Sequence, residues 1–207
     1  MNNARNLKTI TLLLALATPA AAIAESNFQT GAGALTATAK IDFQITIPKI
    51  LFLQVGTGAL YANNTTANLI DFTVPAASVG NTTPIAATAA SGDLGNGAVT
   101  AIVRGNNGTV TLNATATGAL GNGAGDTINY SEIVTTPTTL TTATVLAAPT
   151  LANGASGNIT INPAPAKVVN RDARWTYTYA NSAIVPPGTY GGVNVNNGRV
   201  TYTAAMP

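Results

Sequence analysis

The stretch that decides the fold is residues 34–48, ALTATAKIDFQITIP, in which apolar and polar side chains alternate almost without interruption. Its apolar positions are Leu35, Ala37, Ala39, Ile41, Phe43, Ile45 and Ile47. Its polar positions are Thr36, Thr38, Lys40, Asp42, Gln44 and Thr46. Because successive side chains of a β-strand point to opposite faces, this period predicts a long strand that lays one face on a hydrophobic core and ends at Pro48.

The same period of two recurs further along the chain. One face of residues 69–74, LIDFTV, would hold Ile70, Phe72 and Val74. One face of residues 174–179, RWTYTY, would hold Trp175, Tyr177 and Tyr179. After residue 24 no apolar pattern keeps a 3.6-residue period over three turns, so the sequence predicts no helix. Its β-branched residues, punctuated by Gly, Asn and Pro, favour about ten to twelve short strands joined by tight turns.

The dipeptide Asn-Gly, which suits the positive φ angles of a two-residue hairpin turn, occurs five times. A turn at Asn107-Gly108 would place Ala101, Val103 and Gly105 opposite Ala114, Leu112 and Val110. A turn at Asn197-Gly198 would place Val193 and Val195 opposite Tyr202 and Val200. Since a slip of one residue would scramble both patterns, the sequence predicts a hairpin at each turn.

Two other segments complete the expected fold. Residues 49–55, KILFLQV, are apolar on both faces, which favours a central strand. Residues 135–154, rich in Thr, Ala and Pro, are typical of an edge strand followed by a long loop. Together the patterns predict an all-β protein, an antiparallel β-sandwich of immunoglobulin-like or jelly-roll type that forms a single domain over residues 25–207.

The first 24 residues have the features of a secretory signal peptide. Arg5 and Lys8 precede an apolar run, and the small residues at the end of AIA suit cleavage after Ala24. The run is shorter than the roughly 20 apolar residues that a membrane-spanning helix needs, and Pro19 interrupts it. The sequence therefore predicts a bacterial protein that is exported through the periplasm to the cell surface or the medium.

The charge balance limits the classes of partner. The chain carries nine basic and seven acidic residues, so loss of Arg5 and Lys8 with the signal peptide leaves a net charge near zero. That balance argues against a nucleic-acid partner, since no basic stripe remains to neutralise phosphates. Charged residues make up only 8% of the chain, and a weakly charged surface does little to repel its own copies. Cysteine is absent, so the fold must be stable without disulfides.

The residue types present leave little scope for catalysis. Histidine and cysteine are both absent, which excludes Ser-His-Asp and Cys-His arrangements and the usual zinc sites. The seven acidic residues are scattered singly, so a pair of glycosidase carboxylates is less favoured than ordinary surface charge. Residues 121–128, GNGAGDTI, are similar to a calcium-binding repeat, but their glycines are out of phase with Asp126 and a hairpin loop is the better interpretation. The sequence thus predicts a non-enzymatic protein without a cofactor or a metal.

The aromatic ladder formed by Trp175, Tyr177 and Tyr179 has two interpretations. Aromatic rings on a surface can stack on sugar rings, which would make the ladder a glycan-binding platform. Alternatively, the three rings are the packing centre of the core, a role that a single Trp often has in a sandwich. With one Trp and four Phe in the whole chain, the core interpretation is favoured.

The end of the chain, PPGTYGGVNVNNGRVTYTAAMP at residues 186–207, resembles the close of bacterial secreted β-sandwich proteins of the fimbrial-subunit and surface-protein type. The resemblance extends from Ala173 onward. It implies an exported structural protein that works by strand pairing and packing with other protein chains, including its own copies, with a periplasmic chaperone as a further partner. Two departures are that the disulfide common in pilins is absent, and that residues 25–34, ESNFQTGAGA, match poorly with their alternating donor segment. Residues 35–47 could take the donor role only by leaving their own core.

Two alternative functions stay open at this point. A secreted carbohydrate-binding module would use the aromatic ladder as its platform. A small outer-membrane barrel would need girdles of aromatic residues, for which six Tyr and one Trp are few.

Overall fold

The computed structural model describes residues 26–207, except for the side chain of Pro165. The signal peptide predicted at residues 1–24 lies outside the described residues. Chain contacts divide the protein into two units, Met1–Ile47 and Pro48–Pro207.

The second unit is all-β, as the alternating patterns predict. Within the described residues it has ten strands and three single-turn 3₁₀ helices, the helices at Ala76–Ser78, Tyr130–Glu132 and Pro165–Lys167. The strands are β1 (Leu51–Val55), β2 (Ile85–Ala86), β3 (Ala98–Gly105), β4 (Val110–Ala116), β5 (Leu120–Gly121), β6 (Thr127–Ile128), β7 (Ile133–Thr138), β8 (Ile159–Ile161), β9 (Val169–Tyr179) and β10 (Val200–Ala205).

The strands form two main antiparallel sheets and one small one. In the five-stranded sheet β9 is central, with β3 and then β1 on one side and β7 on the other. The short strand β2 pairs with the end of β9, at Tyr179 and Thr178, on the side away from β7. The second sheet has the order β10-β4-β8, and β5 pairs with β6 separately. The edge strands of the two main sheets are therefore β1, β7, β10, β8 and the two-residue β2.

Both main sheets contribute side chains to one hydrophobic cluster. Its buried members on the long strands are Val99, Ala101 and Val103 of β3, Val110, Leu112, Ala114 and Ala116 of β4, and Val169, Ala173, Trp175 and Tyr177 of β9. On β9 all four stand at odd-numbered positions, and the last three alternate, which is the pattern expected of a strand with one buried face. The predicted burial of one face of residues 174–179 is therefore confirmed.

Residues 69–74 turn the predicted side chains toward the core, but they do not pair with another strand. Ile70 and Phe72 pack against the core cluster, on the face that the alternation indicated. The segment is nevertheless no strand, because it bonds to the turns of residues 88–92 instead of a long neighbour: the Thr88 N–H donates to the Asp71 carbonyl at 2.8 Å.

The hairpin predicted at Asn107-Gly108 is wrong. β3 and β4 lie in different sheets, β3 between β1 and β9, and β4 between β10 and β8. The connection crosses from one sheet to the other, and the Gly108 N–H donates to the Lys167 carbonyl at 2.8 Å. The residues expected to pair side by side are all buried, but in two different sheets. The alternating pattern correctly identified which side chains face the core, because the same side chains are buried whether the two strands form a hairpin or lie in two facing sheets.

The hairpin predicted at Asn197-Gly198 is also wrong. Residues 193–199 hold no strand, Val193 and Val195 are exposed, and β10 pairs with β4 instead. Three asparagines before the glycine, Asn194, Asn196 and Asn197, have positive φ angles. A run of left-handed residues is incompatible with an extended strand, so the partner strand cannot form.

The two expectations about strand position have opposite outcomes. β1 is an edge strand, so the central position predicted for residues 49–55 is wrong. Its outward-facing Phe52 is covered locally by Tyr61, with ring centroids 5.4 Å apart, which explains why both faces of the strand are apolar. By contrast, β7 is an edge strand followed by a long connection, as predicted for residues 135–154.

The first unit corrects the prediction made from residues 34–48. None of residues 26–47 belongs to a strand, and every one of them is exposed. The predicted core strand is therefore wrong: the alternation is present, but its apolar face is not buried in this structure.

Candidate interaction site: an exposed alternating segment and an open edge of the core

Residues 41–47 present four large apolar side chains to solvent. Ile41 is 78% exposed, Phe43 88%, Ile45 84% and Ile47 76%. They are spaced by two, so an extended backbone would carry all four on the same face, with Asp42, Gln44 and Thr46 on the other face. Large apolar side chains exposed together mark either an interaction surface or an aggregation-prone segment. Burying each would contribute about 1.5–3 kcal/mol, so the segment has a strong tendency to be covered.

The core of the second unit has one open side, which we call the open edge and define by β1 and β10. The two strands lie against each other across the two sheets. Each pairs with a single described strand, β1 with β3 and β10 with β4. The core-facing side chains on this side are all only partly buried or exposed: Leu51, Leu53, Val55, Val200, Tyr202, Ala204 and Met206.

One end of the open edge is fastened by the loop between β3 and β4. The Asn106 amide donates to the Pro48 carbonyl at 2.7 Å, and its oxygen accepts from the Ile50 N–H at 2.8 Å. The Asn107 amide donates to the Pro207 carbonyl at 2.8 Å. The start of β1 and the end of β10 are therefore held at the same end of the core. β1 begins at this loop and runs away from it, whereas β10 runs toward the loop and ends there.

The opposite side of the core, which we call the closed edge, is formed by β7, β8 and residues 141–151. Leu146, Pro149 and Leu151 are buried there. The Trp175 indole N–H donates to the Leu146 carbonyl at 2.8 Å, and the Leu146 N–H donates to the Asp172 carbonyl at 3.0 Å. These bonds fasten the covering segment to β9. The closed edge is thus finished by the chain's own residues.

Asp172 anchors that covering segment from the outer face of the sheet. The residue is 3% exposed, and its carboxylate accepts the N–H groups of Thr141 and Thr142, each at 2.9 Å, together with both threonine hydroxyls. Burial by itself raises the pKa of a carboxyl, but these hydrogen bonds outweigh it and lower the pKa of Asp172 below its ordinary value. The group is therefore held ionised, and its role is structural.

A tyrosine pair lies next to the open edge. The hydroxyls of Tyr177 and Tyr202 are 2.8 Å apart, and the Tyr202 ring packs on Trp175 with centroids 5.5 Å apart. Burial raises the pKa of Tyr177 well above its usual value and that of Tyr202 to about 12. Both hydroxyls therefore stay protonated at neutral pH, and they form a hydrogen bond with each other at the boundary of the core.

The three residues predicted as a possible glycan platform lie in the core. Trp175 is fully buried, and Tyr177 and Tyr179 are 5% and 6% exposed. In this structure they form no exposed stacking surface, and their burial agrees with the packing interpretation.

A solvent-open cavity of about 560 Å³ lies beside the loop that precedes β10. It is lined by Thr115, Ala116, Thr117, Asn194, Asn196, Asn197, Gly198, Arg199 and Thr201. Part of this lining is already engaged, because Asn197 accepts from the Thr117 hydroxyl at 2.9 Å and donates to the Ala119 carbonyl at 3.0 Å. The cavity offers amide, hydroxyl and guanidinium groups.

The glycine-rich loop at residues 121–126 is closed by its own side chains. The Asn122 amide donates to the Asp126 carboxylate at 2.8 Å, and its oxygen accepts from the Ala124 N–H at 2.8 Å. The loop joins the paired strands β5 and β6, as the hairpin interpretation expects. Within residues 26–207 no three His, Cys, Asp or Glu side chains are grouped closely enough to hold a metal ion.

Comparison with known proteins returned no relatives. No family model, curated protein or solved structure matches the chain. In the part of the chain that the structure describes, none of the helices has the length and apolar character needed to cross a membrane.

Sequence reasoning found residues 35–47 but placed them in the core, and it missed the open edge altogether. A signal for that edge is present in the sequence. The strand sequences LFLQV of β1 and VTYTAA of β10 contain neither a charged residue nor a proline. Proteins commonly protect exposed strand edges with those two kinds of residue, so their absence leaves β1 and β10 without that protection.

Proposed function

We propose that this chain is an exported, non-enzymatic structural protein of the bacterial cell surface, similar to a fimbrial subunit, which assembles by adding residues 35–47 as a strand to another protein chain. The observation that carries the proposal is the exposure of Ile41, Phe43, Ile45 and Ile47 in an alternating segment. Strand addition satisfies both needs of such a segment, because a sheet edge pairs with its backbone and a core accepts its apolar face.

The architecture that we propose for residues 48–207 is an antiparallel β-sandwich of immunoglobulin-like or jelly-roll type. The support for it is that two antiparallel sheets contribute to one hydrophobic cluster. A sandwich with an unfinished side suits a subunit, since the missing strand can come from outside.

Export and assembly impose a further need. An exposed alternating segment and an uncovered strand edge are hazards for aggregation before assembly. We therefore include a periplasmic chaperone as a transient partner, and the signal peptide at residues 1–24 as the export signal. If the full-length sequence is expressed in a bacterium, mass spectrometry of the exported product should give a chain that begins at Glu25. An unprocessed product retained in the cytoplasm would contradict the export step.

The assembly step is tested with two matched double variants, Phe43→Asp with Ile45→Asp and, as the control, Gln44→Asp with Thr46→Asp. Both pairs add two acidic groups to one segment, but only the first pair changes the apolar face. We expect the unchanged protein and the control to form oligomers or filaments on sizing and electron microscopy. We expect the first variant to be a monomer that melts at the temperature of the dissociated unchanged protein, because the replaced side chains are exposed whereas assembly by itself raises the melting temperature.

Three outcomes would contradict the proposal. They are an unchanged protein that stays monomeric at all concentrations, two double variants that assemble equally well, and a monomer that is retained on a glycan column. The last outcome would favour the carbohydrate-binding module instead.

A further inference from the structure

We propose that Asn122 and Gly123 form a self-modifying site, at which the backbone converts the asparagine amide into aspartate and isoaspartate without an enzyme. The site lies in the turn between β5 and β6. Water is its only co-reactant, and the reaction is independent of the assembly proposed above. Two copies of one pentapeptide, which the fold holds differently, lead to this assignment.

The pentapeptide LGNGA occurs at residues 94–98 and again at residues 120–124. Its asparagines, Asn96 and Asn122, are each followed by glycine, which hinders an approach to the asparagine side chain least because it has no Cβ. Since the neighbouring residues are identical, the two amides have the same intrinsic reactivity in an unfolded chain. Any difference between them in the folded protein is therefore due to tertiary structure.

The reaction is an attack by the backbone on the side chain. The Gly123 nitrogen forms a bond to Cγ of Asn122, the bond between Cγ and Nδ2 breaks, and the proton of the Gly123 N–H leaves with Nδ2 as ammonia. The product is a cyclic succinimide, which water opens at either carbonyl to give aspartate or isoaspartate. A free nucleophile, a stabilised oxyanion and a positioned leaving group all favour this reaction.

The side chain of Asn122 is held as the reaction requires. Its amide oxygen, on which negative charge develops during the attack, accepts the Ala124 N–H at 2.8 Å and the Asp126 N–H at 3.1 Å. Backbone donors aimed at a developing oxyanion lower the barrier to such a reaction. The amide nitrogen, which is the leaving group, donates to the Asp126 carboxylate at 2.8 Å. That carboxylate is placed to relay the proton of the Gly123 N–H to the leaving nitrogen.

The nucleophile at this turn is free. Among the described residues no group accepts a hydrogen bond from the Gly123 N–H. Gly123, Ala124 and Gly125 are all exposed, so water can reach the succinimide. The nucleophile, the oxyanion donors, the leaving group and water therefore meet at one turn.

Asn96, in the identical pentapeptide, has the opposite arrangement. The Gly97 N–H donates to the Ser91 carbonyl at 2.9 Å, so the nucleophile is occupied, and Gly97 is buried. The Asn96 N–H donates to the Ala89 carbonyl at 3.1 Å, which fixes the backbone before the glycine. Within residues 26–207 the Asn96 side chain has no donor that would stabilise an oxyanion. The fold therefore protects Asn96.

The three other Asn-Gly pairs each lack part of the arrangement at Asn122. The N–H groups of Gly108 and Gly198 are occupied, because they donate to backbone carbonyls at 2.8 Å and 2.7 Å. The amide nitrogen of Asn153 donates to the Asn129 amide oxygen at 2.7 Å, and not to a carboxylate. Asn122 is thus the Asn-Gly site that combines a free nucleophile with a carboxylate on the leaving group.

The modification changes the turn in which it occurs. Conversion of Asn122 removes the donor to Asp126 and puts a second carboxylate beside it, and like charges repel. Isoaspartate also lengthens the backbone within the turn. The neighbouring Gly121 N–H donates to the Asn196 carbonyl at 2.9 Å, at the border of the solvent-open cavity, so we expect this contact to loosen. The surface of an exported copy would therefore change with its age.

The test compares the two pentapeptides within one purified protein, incubated at neutral pH and sampled over time. Tandem mass spectrometry measures the conversion of each asparagine, because cleavage at Arg104 places Asn96 and Asn122 in different peptides. In the folded protein we expect Asn122 to react about tenfold or more faster than Asn96, and in urea we expect equal rates. Equal or slower conversion at Asn122 in the folded protein would overturn the proposal.

The same samples show whether the fold promotes the reaction at Asn122 or only fails to prevent it. Asn122 should react at least as fast in the folded protein as in urea, whereas Asn96 should react more slowly when folded. A rate at Asn122 that falls on folding would overturn the proposal, and this comparison needs no variant.

Asp126→Asn tests the role of the carboxylate. It keeps the size of the side chain, and Asp93→Asn, beside the other pentapeptide, is the matched control. We expect Asp126→Asn to lower the rate at Asn122 about tenfold or more and Asp93→Asn to leave that rate unchanged, with the melting temperatures of both variants as the check on folding. An unchanged or raised rate in folded Asp126→Asn would mean that the hydrogen bonds restrain Asn122, and would overturn the proposal.

Discussion

The two sides of the core are built from similar strands but are finished differently. At the closed edge β7 carries Pro137, which cannot donate a ladder hydrogen bond, and residues 141–151 bury Leu146 and Leu151. At the open edge β1 and β10 contain no proline, and residues 57–66, which lie against β1, are exposed instead of buried. The difference teaches that particular residues end a sheet edge, and that an edge without them keeps backbone hydrogen-bonding groups without a strand partner.

The largest expected effect comes from the residue that fastens the closed edge to the core. Trp175 is fully buried and bonds to the Leu146 carbonyl, so Trp175→Ala should lower the free energy of unfolding by about 3–5 kcal/mol through lost burial and a cavity. Urea denaturation measures the change, with Thr178→Ala on the outer face of β9 as the control. A loss of stability no greater than that of the control would contradict the role of Trp175 in fastening the closed edge to the core.

A matched pair of leucines compares the two edges directly. Leu146 is 1% exposed at the closed edge, and Leu51 is 40% exposed at the open edge. In the monomeric Phe43→Asp with Ile45→Asp background, Leu146→Ala should cost about 2–4 kcal/mol and Leu51→Ala about 1 kcal/mol or less. Equal costs in urea titrations would mean that the open edge is as well packed as the closed one.

The carboxylate that holds the covering segment gives the next effect. Asp172→Ala removes the acceptor of two N–H groups and two hydroxyls, and should cost about 2 kcal/mol at neutral pH. Because the folded pKa of Asp172 is lowered, its contribution is present above the ordinary value of 3.8 and is lost as the pH falls through the folded value. Acid titration of stability should therefore fall less steeply in the variant; parallel curves would contradict the assigned role.

The smallest effect of losing a hydrogen-bonding group is expected at the tyrosine pair beside the open edge. Tyr202→Phe removes one hydrogen bond and should cost about 1 kcal/mol at neutral pH. The folded pKa of Tyr202 is raised to about 12, so its contribution is complete below the unfolded value of 10.0 and is lost as the pH rises toward the folded value. Stability measured between these two pH values should decline less in the variant, and an identical decline would exclude Tyr202 as a cause.

The sequence predicted which side chains face the core better than it predicted which strands pair with each other. The residues expected to share a face around Asn107-Gly108, among them Val103 and Leu112, are all buried, yet they belong to different sheets. Alternation is a local consequence of backbone geometry, so it survives any choice of partner strand. Which strand becomes the partner depends on long-range packing, which a dipeptide turn signal does not contain.

Within the candidate site, the sequence identified the segment but not its surroundings. Ile41, Phe43, Ile45 and Ile47 stood out by their spacing, but the core position that the sequence predicted for them is not what the structure shows, because all four are exposed. The open edge was missed because its residues, such as Leu51 and Tyr202, are not consecutive and come together only when the two sheets meet.

By itself, the sequence determined that this protein is all-β, that its alternating segments have one apolar face each, and that it contains no histidine or cysteine for catalysis. Only the tertiary structure decided that Trp175 lies in the core, that β7 is closed while β10 is not, and that residues 41–47 are exposed. The physical reason is that side-chain direction is fixed over two or three residues, whereas burial depends on which distant strands meet.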